Sequence, residues 1–197
     1  MLLIEIGAVI LSALGVWLTA RRNTLCWPVG LMSVLVYGWI FWLVRLYSDL
    51  LLQCMYAILA LYGWQRWSIQ NSSKNLLPAL DTKLGARRVR VTPIPRWTCL
   101  LGLLSGAAGG AALGALAAAF TDAALPWVDA ALTSFSLVAE FWKIRRYIAH
   151  WRLWIAVDCV YVAMFTFKDL RLTAALYAGF MILAFMGLRH WRQADRC

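Results

Sequence analysis

The feature that most constrains this chain is a succession of seven apolar runs, each near the length that crosses a bilayer. They are Leu2–Ala20, Leu25–Val44, Leu50–Trp67, Trp97–Phe120, Ala124–Trp142, Leu153–Phe167 and Leu172–Leu188. A hydrocarbon core about 30 Å thick takes roughly 20 residues of helix at about 1.5 Å per residue. Backbone amides in hydrocarbon have no water to bond, so each run must satisfy them internally, and helix is the economical solution. Composition agrees: 63% of the residues are hydrophobic and 14% charged, with a mean hydropathy of +0.70. A soluble domain is closer to half apolar, so the surplus faces lipid. The expected fold is an all-α integral membrane protein of seven transmembrane helices, with the bilayer as its main partner.

The net charge of +10 would suit a nucleic-acid surface, but its placement gives another reason for it. If seven spans alternate, sixteen of the 19 basic residues gather on one side, among them Arg21, Arg22, Arg66, Arg88, Arg145 and Arg192. Only Arg45, Lys168 and Arg171 fall on the other. The positive-inside rule then puts the N-terminus outside and the C-terminus in the cytoplasm, across a cell inner (plasma) membrane. The basic loop around Arg87, Arg88 and Arg90 has no interleaved aromatics and no recognition motif, so no nucleic-acid partner is expected. The first run carries Glu5 and has neither a basic n-region nor a small-residue cleavage site, which reads as a retained helix.

Catalytic and metal chemistry find little support. Cys26, Cys54, Cys99, Cys159 and Cys197 form no CxxC, and four of them lie in or beside apolar spans, where a thiol is a small hydrophobe. His150 and His190 are too far apart in sequence for an HExxH motif, and no nucleophile–base arrangement is evident. The expectation is a non-enzyme with no cofactor and no metal.

The chain repeats itself. Asn23-x3-Trp27 at the start of one apolar run is echoed by His150-x3-Trp154, which carries Trp27 onto Trp154 at an offset of 127. Further on, Gln53, Tyr56, Gly63 and Trp67 fall on Tyr177, Phe180, Gly187 and Trp191 at an offset of 124, so this reading needs a three-residue gap. Each repeat then holds three helices, and the fourth run between them makes both copies run in the same direction. The expected division is a first repeat over 1–67, a cytoplasmic basic loop over 68–96, a linker helix over 97–120 and a second repeat over 121–197. Parallel repeats of this kind place a substrate where the halves meet. In the fourth run, Gly102, Gly106, Gly110 and Gly114 recur at every fourth position, a ladder suited to close helix packing or to a contact between subunits.

Several helical stripes mix rings with hydrogen-bonding groups. Asn23, Trp27, Gly30, Val34, Tyr37 and Phe41 share one face of the second run, and Trp151, Trp154, Asp158, Tyr161 and Phe165 one face of the sixth. Asp49, Gln53 and Tyr56 are answered on the seventh by Thr173, Tyr177 and Phe180. The remaining tryptophans, Trp17, Trp64, Trp67, Trp97, Trp127 and Trp191, read as an interfacial belt. Glu140 and Asp158 are costly inside a membrane, on the order of 2.5–3.5 kcal/mol each on insertion scales, and such acids face a pathway or a paired cation. For Glu140 the competing reading is an ion pair to Lys143 or Arg145. Acids and ring faces together favour a flat, positively charged aromatic molecule, to which cation–π attraction adds about 0.5–2 kcal/mol. The candidate binding set is Asn23, Trp27, Tyr37, Gln53, Tyr56, Glu140, Trp151, Trp154, Asp158, Tyr161 and Tyr177. A membrane protein without transport activity is the alternative from another class, and it leaves acids in aromatic seams unexplained.

These residues resemble the PnuC family of vitamin transporters. The resemblance is carried by Glu5–Gly7, Asn23-x3-Trp27-Pro-x-Gly30, Leu46-Tyr47-x-Asp49-x3-Gln53, Gly63-x3-Trp67, Asp129-x3-Thr133, Trp151-x2-Trp154-x3-Asp158, and Leu172-x4-Tyr177 with Gly187-x3-Trp191. It implies a 3+1+3 arrangement like that of SWEET sugar transporters and a homotrimer. It also implies uptake of nicotinamide riboside by facilitated diffusion, with the vitamin trapped by a cytoplasmic kinase. The chain starts directly at the first repeat, which implies seven spans where some members have eight. It departs from many members in having His150 ahead of the paired tryptophans and a charged Glu140. Thiamine and riboflavin, carried by relatives within the family, are the alternative substrates.

Overall fold

The structure is a computed structural model that describes residues 2–43, 47–75, 92–120, 125–167, 169 and 171–195. Its seven helices are α1 (Leu2–Ala20), α2 (Cys26–Leu43), α3 (Tyr47–Asn75), α4 (Arg96–Phe120), α5 (Pro126–Ile144), α6 (Ala149–Phe167) and α7 (Arg171–Asp195). No strand occurs among the described residues. One isolated bridge ties the segment ahead of α4 to the α5–α6 turn, where the Thr92 amide donates to the Arg146 carbonyl at 3.3 Å. The helices lie where the seven apolar runs predict them. Two of them, α3 and α7, run on past the apolar segment into polar residues. Helix α3 therefore takes up Ser68–Asn75, the first part of the expected basic loop, while Arg87, Arg88 and Arg90 lie outside the described residues.

By length and composition alone, Cys26–Leu43, Arg96–Phe120 and Thr173–Gln193 suffice to cross a membrane. Large apolar side chains stand exposed along the helices, among them Ile10, Leu51, Ile58, Leu101 and Ile182. Water would penalise such a surface at about 25 cal/mol per Å², whereas acyl chains accept it.

The chain forms two compact units. The first, Met1–Arg90, packs α1 on α2 and α2 on α3; the second, Val91–Cys197, stacks α4, α5, α6 and α7 in order, each on the next. Serines join α1 to α2: Ser12 and Ser33 share a hydrogen bond of 2.6 Å, and Ser33 Oγ also donates to the Ala8 carbonyl at 3.2 Å. In the second unit, the glycine ladder of α4 receives α5. A Cβ at Gly102, Gly106 or Gly114 would collide with the rings of Trp142, Phe135 or Trp127, and at Gly110 it would reach 3.1 Å from the Ala131 Cα. The ladder is thus a helix-packing surface within this unit.

The two units repeat their local structure at a single offset of 124 residues. Arg22 and Arg146 both occupy the left-handed region, at φ 57° and 61°, in the turns after α1 and α5. Around Arg22, the amides of Arg21, Arg22, Asn23, Cys26 and Trp27 bond the carbonyls of Trp17, Thr19, Leu18, Asn23 and Thr24. Around Arg146, the amides of Arg145, Arg146, Tyr147, His150 and Trp151 bond those of Phe141, Lys143, Trp142, Tyr147 and Ile148, the same five connections. Cation–ring contacts match too: Arg21 lies 4.3 Å from the Trp17 ring centre and Arg145 5.4 Å from that of Phe141. This register corrects the pairing of Trp27 with Trp154. The counterpart of Trp27 is Trp151, that of Asn23 is Tyr147, and no gap is needed.

Candidate functional site

The register sorts the candidate residues into those that hold helices together and those that leave chemistry available. Trp27 is 1% exposed and stands edge-on to Trp67, with ring centroids 5.3 Å apart and planes at 85°. Trp151 and Trp191 repeat this at 5.8 Å and 84°. In each unit the first ring covers a glycine of the neighbouring helix: a Cβ on Gly63 would fall within the Trp27 ring, and one on Gly187 within that of Trp151. These pairs are clasps between α2 and α3 and between α6 and α7. Trp67 and Trp191 are accordingly buried, which corrects their assignment to the interfacial belt. Trp17, Trp64, Trp97 and Trp127 are exposed as that assignment requires.

Asn23 is a cap: its Oδ1 accepts the Leu25 amide at 3.0 Å, which stabilises the turn into α2. Glu140 is 8% exposed and ion-paired to Lys143, one turn on, at 2.5 Å. The spacing Glu140-x2-Lys143 puts both on one face of α5, so the local pair meets the charge of this acid. His150 was not foreseen as a core residue. It is fully buried between the rings of Trp151 and Trp191, at centroid distances of 4.5 and 4.8 Å, and its Nδ1 lies 2.6 Å from the Tyr147 carbonyl. The position of Cys26, its counterpart in the first unit, signals burial once the register is known.

Asp158 differs from both. It is 4% exposed, halfway along α6, and has neither a hydrogen bond nor an ion pair among the described residues. Rings surround its face of the helix. Trp154, one turn before it, is half-buried against Leu132, Val157 and Met164. Tyr161, one turn after it, stacks on Phe165 at 5.9 Å and on Tyr177 of α7 at 4.4 Å, and Tyr177 also stacks on Phe165 at 5.4 Å and meets Phe180 edge-on at 6.1 Å. The second unit therefore brings Trp154, Asp158, Tyr161 and Tyr177 together. Glu140 lies on the neighbouring helix α5, four residues before its end, where it is paired with Lys143.

The first unit keeps the rings and lacks the acid. Tyr37 stacks on Phe41 at 6.1 Å as Tyr161 does on Phe165, but Val34 stands where the second unit has Asp158. Gln53 replaces Tyr177 and leaves a groove of about 350 Å³ between α2 and α3, lined also by Val34, Gly38, Trp42 and Leu50. Tyr56 is half-buried one turn further along α3. Chemically, the first unit offers an amide and aromatic surface, and the second a carboxylate beside stacked rings. No cluster of three metal-ligating side chains occurs among the described residues.

Proteins similar to this chain are transporters. Over residues 2–193 the chain matches the family described as nicotinamide mononucleotide transporter. It is 25% identical over 182 residues to the nicotinamide riboside transporter PnuC of Escherichia coli (strain K12), covering 85% of this chain and 75% of that protein. The same values hold for the protein of that name from Shigella flexneri. A crystal structure of the vitamin B3 transporter PnuC shares the fold, with a TM-score of 0.69 and 21% identity over 96% of this chain and 80% of that one. The chain is a multi-pass, all-α membrane protein and belongs to the nicotinamide mononucleotide transporter family, the PnuC-type vitamin transporters.

Proposed function

We propose that this protein carries nicotinamide riboside into the cell by facilitated diffusion, with the N-terminus outside, the C-terminus in the cytoplasm and a cytoplasmic kinase trapping the product. The observation that carries the reading is Asp158. A carboxylate buried without a partner is costly, and a cationic ligand offsets that cost. Nicotinamide riboside supplies a flat pyridinium cation, for which the stacked rings of Tyr161, Phe165 and Tyr177 and the face of Trp154 are suited. Gln53, with Tyr37 and Tyr56 in the first unit, offers hydrogen-bonding groups of the kind that a carboxamide and ribose need.

The same acid bears on the family's two substrate names. Nicotinamide mononucleotide adds a phosphate, and a phosphate brought beside Asp158 without a neighbouring cation would be repelled. The riboside named for the relatives fits better. The two units running in one direction, and the assembly of copies into a homotrimer, belong to the same reading. Thiamine, also an aromatic cation, is the alternative that Asp158 equally accommodates.

Titration of purified protein with nicotinamide riboside, its mononucleotide, thiamine and riboflavin tests the reading. The riboside should bind most tightly. Asp158→Ala should weaken it by roughly tenfold to a hundredfold, the equivalent of about 1.5–3 kcal/mol for a bond to a charged group. Tightest binding of the mononucleotide, or unchanged riboside affinity in Asp158→Ala, would refute it.

A further inference from the structure

The register of 124 residues separates two sets of basic residues. Arg21 and Arg22 recur as Arg145 and Arg146 in the matching turns, so this charge follows the repeated structure. Arg152, Arg189 and Arg192 do not recur: Pro28, Gln65 and Ser68 stand at their counterparts in the first unit. The turn arginines already supply the positive charge that orients each unit, and the three extra ones call for another reason.

Their places follow from the ring clasp of the second unit. Trp151 and Trp191 join the start of α6 to the end of α7, Tyr161 and Tyr177 join them further along, and the two helices are therefore antiparallel. Arg152 and Arg192 each come one residue after a clasp ring. One residue turns a helix by about 100°, and on helices running in opposite directions these two steps turn toward the same side of the pair. Arg189, three residues before Arg192, is its neighbour on the α7 surface. All three arginines are exposed, and none has an ion pair or hydrogen bond among the described residues. Nearby acid does not offset them: Glu140 is taken by Lys143, Asp158 is buried halfway along α6, and Asp195 is matched in charge by Arg196.

Two features decide the partner. Guanidinium groups hold phosphate oxygens through paired N–H donors, and basic groups at the ends of adjoining spans collect anionic headgroups. Phe185 lies two turns before Arg192 on the same face of α7 and is 46% exposed. A phosphate held by the arginines thus continues onto apolar surface that acyl chains cover, which a soluble anion would leave unused. We infer that Arg152, Arg189 and Arg192 hold the headgroup phosphate of an anionic phospholipid beside the Trp151–Trp191 clasp, a site of the second unit alone.

Native mass spectrometry of the whole protein in detergent, titrated with phosphatidylglycerol or phosphatidylcholine, tests it. The anionic lipid should bind about tenfold or more tightly than the zwitterionic one, at roughly fivefold for each arginine engaged. Replacing Arg152, Arg189 and Arg192 together by Gln should remove that preference. Replacing Arg21, Arg66 and Arg145 by Gln takes away as much charge elsewhere and should leave it in place. Equal loss in both variants would make the effect one of diffuse charge, and full retention in the first would put the lipid at another site; either result overturns the inference. Arg152→Gln, a single change at an exposed position, should by itself cost about fivefold, and an unchanged preference there would count equally against the site. Inorganic phosphate at the concentration of the lipid should not displace it; displacement would mark a site for free anions and overturn the lipid assignment. None of these readouts uses the vitamin, so failure of the proposed substrate would leave them standing.

Discussion

Trp151 stands edge-on to Trp191 across α6 and α7, and its ring occupies the space that a side chain on Gly187 would need. Trp27, Trp67 and Gly63 build the same clasp in the first unit. Gly187→Ala and Gly63→Ala should therefore each destabilise the protein by about 1–3 kcal/mol, the usual cost of overpacking. Thermal unfolding of the two variants in detergent checks this. Gly7→Ala, where a Cβ meets nothing within 4 Å, should leave the midpoint unchanged or raise it slightly.

Glu140 and Lys143 should behave as structural partners. Glu140→Gln removes the carboxylate paired with the Lys143 ammonium and should cost about 1–3 kcal/mol, between the values for exposed and fully buried pairs. Adding Lys143→Met should recover much of the loss. Riboside affinity should stay within about twofold in both variants, because neither residue belongs to the proposed contact set; unfolding midpoints and titrations of the two variants decide the matter.

The glycine ladder of α4 should show graded sensitivity. Gly110 faces the α5 backbone itself, at 3.1 Å from the Ala131 Cα, whereas Gly102 and Gly106 face rings that can turn aside. Backbone cannot move as cheaply as a side chain. Gly110→Leu should lose more stability than Gly106→Leu, measured as the difference in their unfolding temperatures.

The proposed orientation gives a direct labelling result. Asp169 is exposed in the turn before α7, and Asn23 in the turn before α2, at opposite ends of their spans. In whole cells, a membrane-impermeant maleimide should label Asp169→Cys and leave Asn23→Cys unlabelled until the membrane is opened. The reverse pattern would invert the orientation.

Much of the fold was legible because hydrocarbon imposes one solution on an apolar run of given length. Helix α1 matches its run from Leu2 to Ala20, while α3 and α7 overran theirs. Polar residues such as Ser68–Asn75 end a membrane span without ending a helix, and no proline follows Trp67 until Pro78. The repeat is visible in the sequence but its register is ambiguous at the second copy, where His150 stands four positions before Trp154 as Asn23 does before Trp27, and directly before Trp151. Only the left-handed turns at Arg22 and Arg146 and the ring clasps separate the two choices. Burial of Trp67 and Trp191 followed from that register and could not be judged from tryptophan's general liking for interfaces. For Glu140 the sequence leaves a pathway role open beside an ion pair to Lys143 or Arg145, and the structure shows the pair with Lys143. The isolation of Asp158 needed the positions of α5 and α7 around it.

The central claim is that Asp158 recognises the positive charge of the vitamin, and one comparison of ligands tests it most directly. Nicotinamide riboside and its reduced dihydropyridine form have similar size and the same carboxamide and ribose, but only the first is a cation. Titrating wild-type protein and Asp158→Asn with both should show the cation favoured by roughly tenfold or more in the wild type, and that preference erased in the variant. Equal affinity of the wild-type protein for the two forms, or a preference that survives in Asp158→Asn, would contradict the account.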